Sequence, residues 1–567
     1  MTATASSKVR YGRYLIFIAG IGGLLYGIDI GIIAAALLYL GKTVSLTVEQ
    51  TSLIVAAVLG GGMLSSLVAG VLADYFGRKK MMIVSGLMFV ASVGLIVISQ
   101  GFVSLFIGRL LQGMSGGVIA VVVPLYLAEC LTAKSRGKGT AIFQFMLTFG
   151  IVIAALIGLF YTHQAEAGIA AAAGNAMLIR AAENHAWRGM FLSVIYPGAI
   201  FFFGSFFLSE TPRWLFRKGK KQEALASLLR SSSDEEARLQ MEEMKMLAAE
   251  QGRKKSVFHG SDSIFQKKYV VPFVLACVIL ACNQTTGINS ILGFLVIILK
   301  QAGMTAGHAS QGDVLVKVLN CAMTIVAVAL VDKKGRKFLL RIGTGGIIIA
   351  LVAGGLIFHS FESKRIDLKS TVQSAVAGDS LNLPFSSMES DAPRSSAPSI
   401  ITVLYSYGAG DKMVTARSDQ ESALTIQPEG SEEKSPLVIR RAVYGSVPPE
   451  TTGWLITICL GLFIACYAMG PGVVVWLALT ELLPTRIRSS GMGVALLINQ
   501  GASTLIAAVF LPVVGNYGYY AMFFFWAACT VLYFITATFF LPETKGKTLE
   551  EIEQYFDKGQ RTAQLPG

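Results

Sequence analysis

Charge is scarce in this chain. Of its 567 residues only 15% are Asp, Glu, Lys or Arg, against 53% hydrophobic, and the mean hydropathy is +0.60. Soluble domains carry roughly 25% charged residues, so a chain of this length has more apolar surface than a water-facing fold can hide. The shortage excludes an ordinary soluble globular protein, whereas a bilayer would solvate the excess. Histidine is scarcer still: His163, His185, His259, His308 and His359 are scattered, are expected outside the membrane and receive no role. The seven cysteines (Cys130, Cys277, Cys282, Cys321, Cys459, Cys466, Cys529) lie in or at the ends of apolar segments without zinc-type spacing. They read as small core residues. Neither H-E-x-x-H nor a complete Walker G-x-x-x-x-G-K-[ST] sequence occurs. An enzyme and a nucleotide-driven motor are therefore disfavoured, and no cofactor or metal is expected.

What charge there is sums to +13. The cations cluster in short hydrophilic gaps between apolar runs and form no continuous basic face, so the partner they suit is a lipid bilayer and not a nucleic acid. A helix needs roughly 20 apolar residues to cross the hydrocarbon core. Such runs lie near 13–40, 52–73, 80–100, 102–128, 138–161 and 189–208, and again near 269–299, 313–331, 338–360, 452–478, 488–514 and 518–541. The expected fold is an all-α membrane protein of twelve transmembrane helices in two six-helix halves. No cleavable signal is read at the N-terminus, because the apolar run behind Lys8, Arg10 and Arg13 continues far past a signal-peptide core.

Lys and Arg set the orientation. With the N-terminus inside, the inner loops hold Arg78, Lys79 and Lys80, then Lys134, Arg136 and Lys138, then Lys333, Lys334, Arg336 and Lys337, then Arg486 and Arg488. The opposite loops at 101 and 515–518 hold none, so both termini are expected in the cytoplasm and the protein in a cell membrane, inner or plasma. The division follows: an N-terminal half at 1–208, an intracellular linker at 209–268, a C-terminal half at 269–541 and a cytosolic tail at 542–567. The linker stretch EALASLLRSSSDEEARLQMEEMKMLAAE has helical spacing and predicts short amphipathic helices. Residues 362–450, rich in Ser, Pro and Gly, form an external insert. Within it SIITVLYSY predicts a strand or two, and the remainder reads as loop or disorder.

The two halves repeat one another. Asp74-Tyr-Phe-Gly77-Arg78-Lys79 before the third run matches Asp332-Lys-Lys-Gly335-Arg336-Lys337 before the ninth. Glu129 and Arg136, seven positions apart after the fourth run, match Glu481 and Arg488 after the tenth; Glu210-Thr-Pro-Arg213 after the sixth matches Glu543-Thr-Lys after the twelfth. Three motif pairs at equivalent places imply a duplicated fold enclosing a central midplane site. The acids and bases at these loops are expected to form an inner-gate ion-pair network, closed in one arrangement of the halves and broken in the other.

At these residues the chain resembles the sugar porter family of the major facilitator superfamily. The resemblance rests on GGLLYGIDIG (22–31), ADYFGRKK (73–80), GRLLQGMSGG (108–117), PLYLAE (124–129), SETPRWL (209–215), NQTTGIN (283–289), DKKGRK (332–337), GPGVVVW (470–476), ELLPTRIR (481–488) and LPETKGKTLEEIE (541–553), in the family's order. It covers both halves and leaves only the insert outside. It implies a monomeric secondary transporter of a sugar or polyol.

A sugar offers a ring of hydroxyls, each donor and acceptor, so its site needs amides and an aromatic face at membrane depth. Gln144, Asn283, Gln284, Asn289, Asn320, Trp476 and Asn499 are the polar or aromatic candidates inside apolar runs. A lone amide there otherwise serves an interhelical hydrogen bond. The resemblance places the family's sugar-binding amides on Gln144, Asn283, Gln284, Asn289 and Asn320, and its tenth-helix aromatic on Trp476. Departures from the family pattern are Asn283 for the first of a Gln pair, Gly293 and Phe294 for a pair of Tyr, and Gln500 for a Trp. Asp29 is an acid in the first run, and an unpaired carboxylate there is costly. The resemblance sets it against Arg109, the one Arg of the fourth run, and implies proton coupling. A passive facilitator, a proton-coupled inositol or polyol carrier, and a sensor on a transporter fold are the competing readings.

Overall fold

Twelve stretches of the chain are helical and apolar enough to cross a bilayer, from Lys8–Gly31 to Tyr519–Phe540. The computed structural model describes residues 5–131, 133–257, 266–388, 398–408, 410–419, 422–428, 436–484, 487–544, 551–552 and 555–556; the side chains of 5–7, 133–138, 140, 247–257, 267–268, 332, 476–481 and 488–490 fall outside the description. Large apolar side chains stand exposed on the spans, among them Val71, Phe203 and Ile458. Only a hydrocarbon solvent makes such a surface stable.

The first half runs through α1 (Ala5–Gly31), α2 (Ile33–Thr43), α3 (Val48–Phe76), α4 (Arg78–Val97), α5 (Phe102–Cys130), α6 (Ala133–Ala171), α7 (Ala176–Ser193) and α8 (Ile195–Phe206). The α1 ladder is interrupted at Ile32, and α2 continues the span. Two short helices, α9 (Pro212–Arg217) and α10 (Lys221–Leu229), and the longer α11 (Asp234–Val257) follow, packed through Leu215, Ala224, Leu228, Ala237 and Met241. Asp234 opens α11 beside Lys8 of α1 at 2.6 Å, and that ammonium lowers its carboxyl below the ordinary range. The second half comprises α12 (Lys267–Thr285), α13 (Ile288–Gln301), α14 (Ala306–Lys334) and α15 (Arg336–Glu362), then the insert. α18 (Glu450–Met469), α19 (Pro471–Leu482), α20 (Arg488–Tyr517) and α21 (Tyr519–Ile535) complete it, with a π-helical turn at Thr536–Phe540. α12 and α13 form one span broken at Gly287, whose φ of 84° and contact with the Trp526 ring leave no room for a side chain.

Helix pairs within a half approach through small residues: a Cβ on Gly113 of α5 would stand 2.0 Å from the Val58 carbonyl of α3. Between the halves, α3 lies along α20, α6 along α14, and α2 against α13. The helices at 141–171 and 176–206 run well beyond the expected ends at 161 and 189. The alanine-rich sequence between, a strong helix former, extends both past the apolar core.

The insert is a folded unit and not mainly loop. It contains β1 (Ile366–Asp367), α16 (Lys369–Ser374), β2 (Leu381–Pro384), α17 (Phe385–Met388), β3 (Ser399–Ser406), β4 (Asp411–Arg417), β5 (Ala423–Ile426) and β6 (Val438–Ser446). An antiparallel sheet has the order β1-β6-β3-β4, and β2 pairs with β5. The SIITVLYSY strand is β3, centre of a core with Leu383, Phe385, Leu424, Ile439 and Tyr444. The expectation of loop or disorder is thus corrected. The other strands are short or interrupted by charged residues, as in DKMVTAR and VIRRAVYGS, and long-range pairing, not local pattern, makes them strands.

Candidate functional site

The break at Gly287 ends α12 with its amides facing inward. Asn283 and Gln284 are buried there, and Asn289 opens α13. Gln284 Nε2 donates to Asn499 Oδ1 of α20 at 3.2 Å, and Asn289 Nδ2 donates to Gln284 Oε1 at 3.0 Å and to Ser503 Oγ at 2.7 Å. Four side chains from three helices therefore form one polar cluster. Asn283 points elsewhere, since adjacent helical residues lie about 100° apart. It sits beside the Tyr467 hydroxyl, and its Oδ1 has no hydrogen bond among the described residues. Asn320 is buried on α14, where its carbonyl accepts from Thr324. Gln144 is half-buried on α6, one turn before Thr148, whose hydroxyl reaches Cys321 at 3.6 Å. Trp476 lies on α19 with its side chain outside the description.

Asp29 and Arg109 meet. The carboxylate is fully buried and stands 3.4 Å from Arg109 Nη1, which also donates to Gln112 Oε1 at 2.7 Å. The guanidinium lies over the Phe191 ring at 5.6 Å. Asp29 Oδ2 has no hydrogen bond among the described residues, and a Cβ on Gly116 would come within 3.2 Å of it. The ion pair is long and incompletely satisfied, an arrangement that leaves Asp29 room to change partner.

At the α3–α4 turn, Arg78 Nη2 donates to Asp74 at 2.7 Å and to Glu129 at 2.9 Å. Thr211 donates to the other Glu129 oxygen at 2.5 Å. The second cation is Arg217, at 3.4 Å from Asp74 and 3.3 Å from Glu129, not the expected Arg213. The Thr211–Pro212 start of α9 turns position 217 toward Glu129. Glu210 has a different job from the expected ion pair: its carboxylate accepts the backbone N–H of Arg78 and Lys79. Burial pushes that carboxyl up, while the backbone donors pull it down. Glu543 accepts from the backbone of Arg336 and Lys337 in the same way. Both acids cap a helix start behind a glycine, Gly77 (φ 100°) and Gly335 (φ 90°). Arg136, Asp332, Glu481 and Arg488 have side chains outside the description.

The family model for sugar (and other) transporters matches residues 15–378 and 440–556. The chain belongs to this family. It is 26% identical over 548 residues to the probable metabolite transport protein CsbC of Bacillus subtilis, covering 96% of this chain and 95% of that protein. It is 26% identical over 549 residues to glucose transporter GlcP of Staphylococcus epidermidis (96% and 97%), and 27% identical over 564 residues to proton myo-inositol cotransporter hmit-1.1 of Caenorhabditis elegans (95% and 89%). The solved inward-open xylose transporter XylE of E. coli superposes with a TM-score of 0.66 at 21% identity, covering 96% of this chain and 99% of that one. The chain shares the fold of that transporter, and this sugar transporter family member is a multi-pass membrane transporter and not an enzyme.

Residues 379–439, most of the β insert, lie outside the family match. Sequence reasoning did not single out Ser503, Tyr467, Thr211 or Arg217. Hydroxyl residues are common in membrane helices and carry no spacing signal, so only the contacts reveal them. Tyr26, within GGLLYGIDIG, lies beside Gln500, the amide that departs from the family pattern.

Proposed function

We propose that this family member is a secondary active transporter that carries a monosaccharide, a hexose or pentose, together with a proton by alternating access. The observation that carries the reading is the fully buried Asp29 held loosely against Arg109, on a helix that also borders the amide-rich interior. A carboxylate that trades Arg109 for a proton has two environments in one cycle and hence two proton affinities, as coupling requires. Gln284, Asn289, Asn499 and Ser503, with Asn283, Asn320, Gln144 and Trp476, supply the neutral donors, acceptors and ring face for the sugar. Asp74, Arg78, Glu129 and Arg217 fasten the inner ends of the first half, with Glu210 and Glu543 as caps. The two halves at 1–208 and 269–541 rock about this site, the linker at 209–268 and the tail beyond 541 face the cytoplasm, and the protein works as a monomer in a cell membrane.

A polyol, inositol above all, is the second substrate reading. It is favoured by the match to hmit-1.1 and by the gain of an amide at Gln500. The test is uptake of labelled sugars and inositol into proteoliposomes, with and without an inward proton gradient, for the wild type and Asp29→Asn. Gradient-driven accumulation is expected in the wild type and lost in Asp29→Asn, while counterflow exchange survives. Equal uptake under every condition would make the protein a facilitator and leave the Asp29–Arg109 pair a scaffold.

A further inference from the structure

A second buried ion pair lies in the outer part of the molecule, the side that carries the β insert. Lys317 and Asp313, one turn apart on α14, are 0% and 1% exposed and stand 2.8 Å from each other. Lys317 Nζ also donates to the carbonyl oxygen of Gly31 at 3.1 Å. Gly31 is the last residue of α1, at the interruption of the ladder and two residues past Asp29. Lys317 lies three residues before Asn320, on the same face of α14. One ammonium therefore joins the end of the Asp29 helix in one half to the Asn320 helix in the other.

Other contacts run along this seam. Glu166 of α6 accepts from Gly307 N at 2.9 Å, Ser310 meets Thr162 at 3.2 Å, and Cys321 meets Thr148. Positions 307, 310, 317 and 321 recur at helical spacing, so α14 presents one polar stripe to the first half. Among these four contacts only that of Lys317 puts a full positive charge on a helix-end carbonyl. A hydrogen bond with a charged donor is about twice as strong as a neutral one. The pair is also built to let go: Asp313 belongs to the same helix and stays with Lys317 whether or not the halves are together. Losing the Gly31 carbonyl strands no charge.

We infer that Lys317, held by Asp313, is a positioning residue of the transport cycle. It fastens the end of α1 to α14 while the outer side is closed, and it releases Gly31 when that side opens. The contact needs neither a particular sugar nor a proton, so the inference stands apart from the substrate and coupling assignments.

The test is outer-side opening. Val55 of α3 is buried, with its Cγ1 3.1 Å from where a Cβ on Gly293 of α13 would lie, at the closed outer contact between the halves. A cysteine there, in the full-length chain in sealed cells, is to be labelled by a membrane-impermeant maleimide, with the chain lacking Val55→Cys as background. Adding Lys317→Met is expected to raise the labelling rate about tenfold, the factor for a lost hydrogen bond to a charged group. Lys317→Arg, which keeps a cationic donor, leaves it slow. Asp313→Asn/Lys317→Met, which removes both charges and strands neither, should label as fast as Lys317→Met and supplies the reading where the single variant does not fold. Unchanged labelling in a folded Lys317→Met or double variant would overturn the inference.

Discussion

Asp29 Oδ2 and Asn283 Oδ1 are buried oxygens without a hydrogen bond among the described residues, while Gln284, Asn289 and Asn499 bond to one another. At membrane depth that difference matters, because water does not make up the deficit. Bonded amides are held in place, and on the proposed reading the open Asn283 oxygen is free to accept a substrate hydroxyl and the open Asp29 oxygen a proton. Gln284 is the hub, since it both donates to Asn499 and accepts from Asn289. Gln284→Ala leaves both partners short and is expected to weaken sugar binding by about tenfold to a hundredfold. Equilibrium binding to purified protein checks this, and unchanged affinity would reduce Gln284 to helix packing. The amides stood out in the sequence because each interrupts an apolar run. Ser503 did not, and its place shows only in the bond from Asn289.

The helix starts at Arg78 and Arg336 repeat one device. Gly77 and Gly335 combine φ near +90° to +100° with ψ of 157° and 161°, a region essentially closed to side chains. A Cβ would lie 2.2 Å from Glu210 Oε2 in the first and 2.8 Å from Glu543 Oε2 in the second. Gly77→Ala and Gly335→Ala should each cost about 1–3 kcal/mol, seen as a lower unfolding temperature in detergent. Gly70→Ala serves as the control, because nothing lies within 4 Å of its Cβ position. An unfolding temperature for Gly77→Ala equal to that of the control would remove the conformational argument. The D-x-x-G-R-K repeat revealed where these turns lie; that the glutamates cap backbone amides was legible only once the chain ends of both halves came back to them. The insert shows the same limit. β3 was visible as a β-branched run, whereas β2, β5 and β6 acquire their identity from partners that lie far away in sequence, as in the Leu381–Ile426 and Ser399–Ser446 pairs.

At the scale of the molecule, the side that carries the insert is closed by α2 against α13 and by the insert itself, which reaches across to the first half. Lys412 of β4 donates to Ser45 at 2.6 Å. If the halves rock about the midplane, this side must part in every cycle. A disulfide from Val55→Cys/Gly293→Cys, placed by the short contact at Gly293, should therefore stop transport under oxidation and restore it on reduction. Full transport with the disulfide formed would exclude separation of the halves at this contact. The Arg78 network, by contrast, lies within the first half and its linker, so it holds that half's helix ends together on the linker side without itself spanning the two halves.

The sequence alone determined the membrane setting, the twelve spans and the twofold repeat, whereas the pairing of Asp29 with Arg109 was implied by the family resemblance and is seen in the structure. The first three follow from composition, run length and motif order, which are carried locally along the chain. Only the tertiary structure decided that Arg217 replaces Arg213, that Glu210 and Glu543 are caps, that the insert is a β unit with its own core, and that Lys317 grips the end of α1. Each of these depends on which residues distant in sequence become neighbours. A side chain's partner is set by the packing of whole helices and sheets, and no window of sequence contains that information.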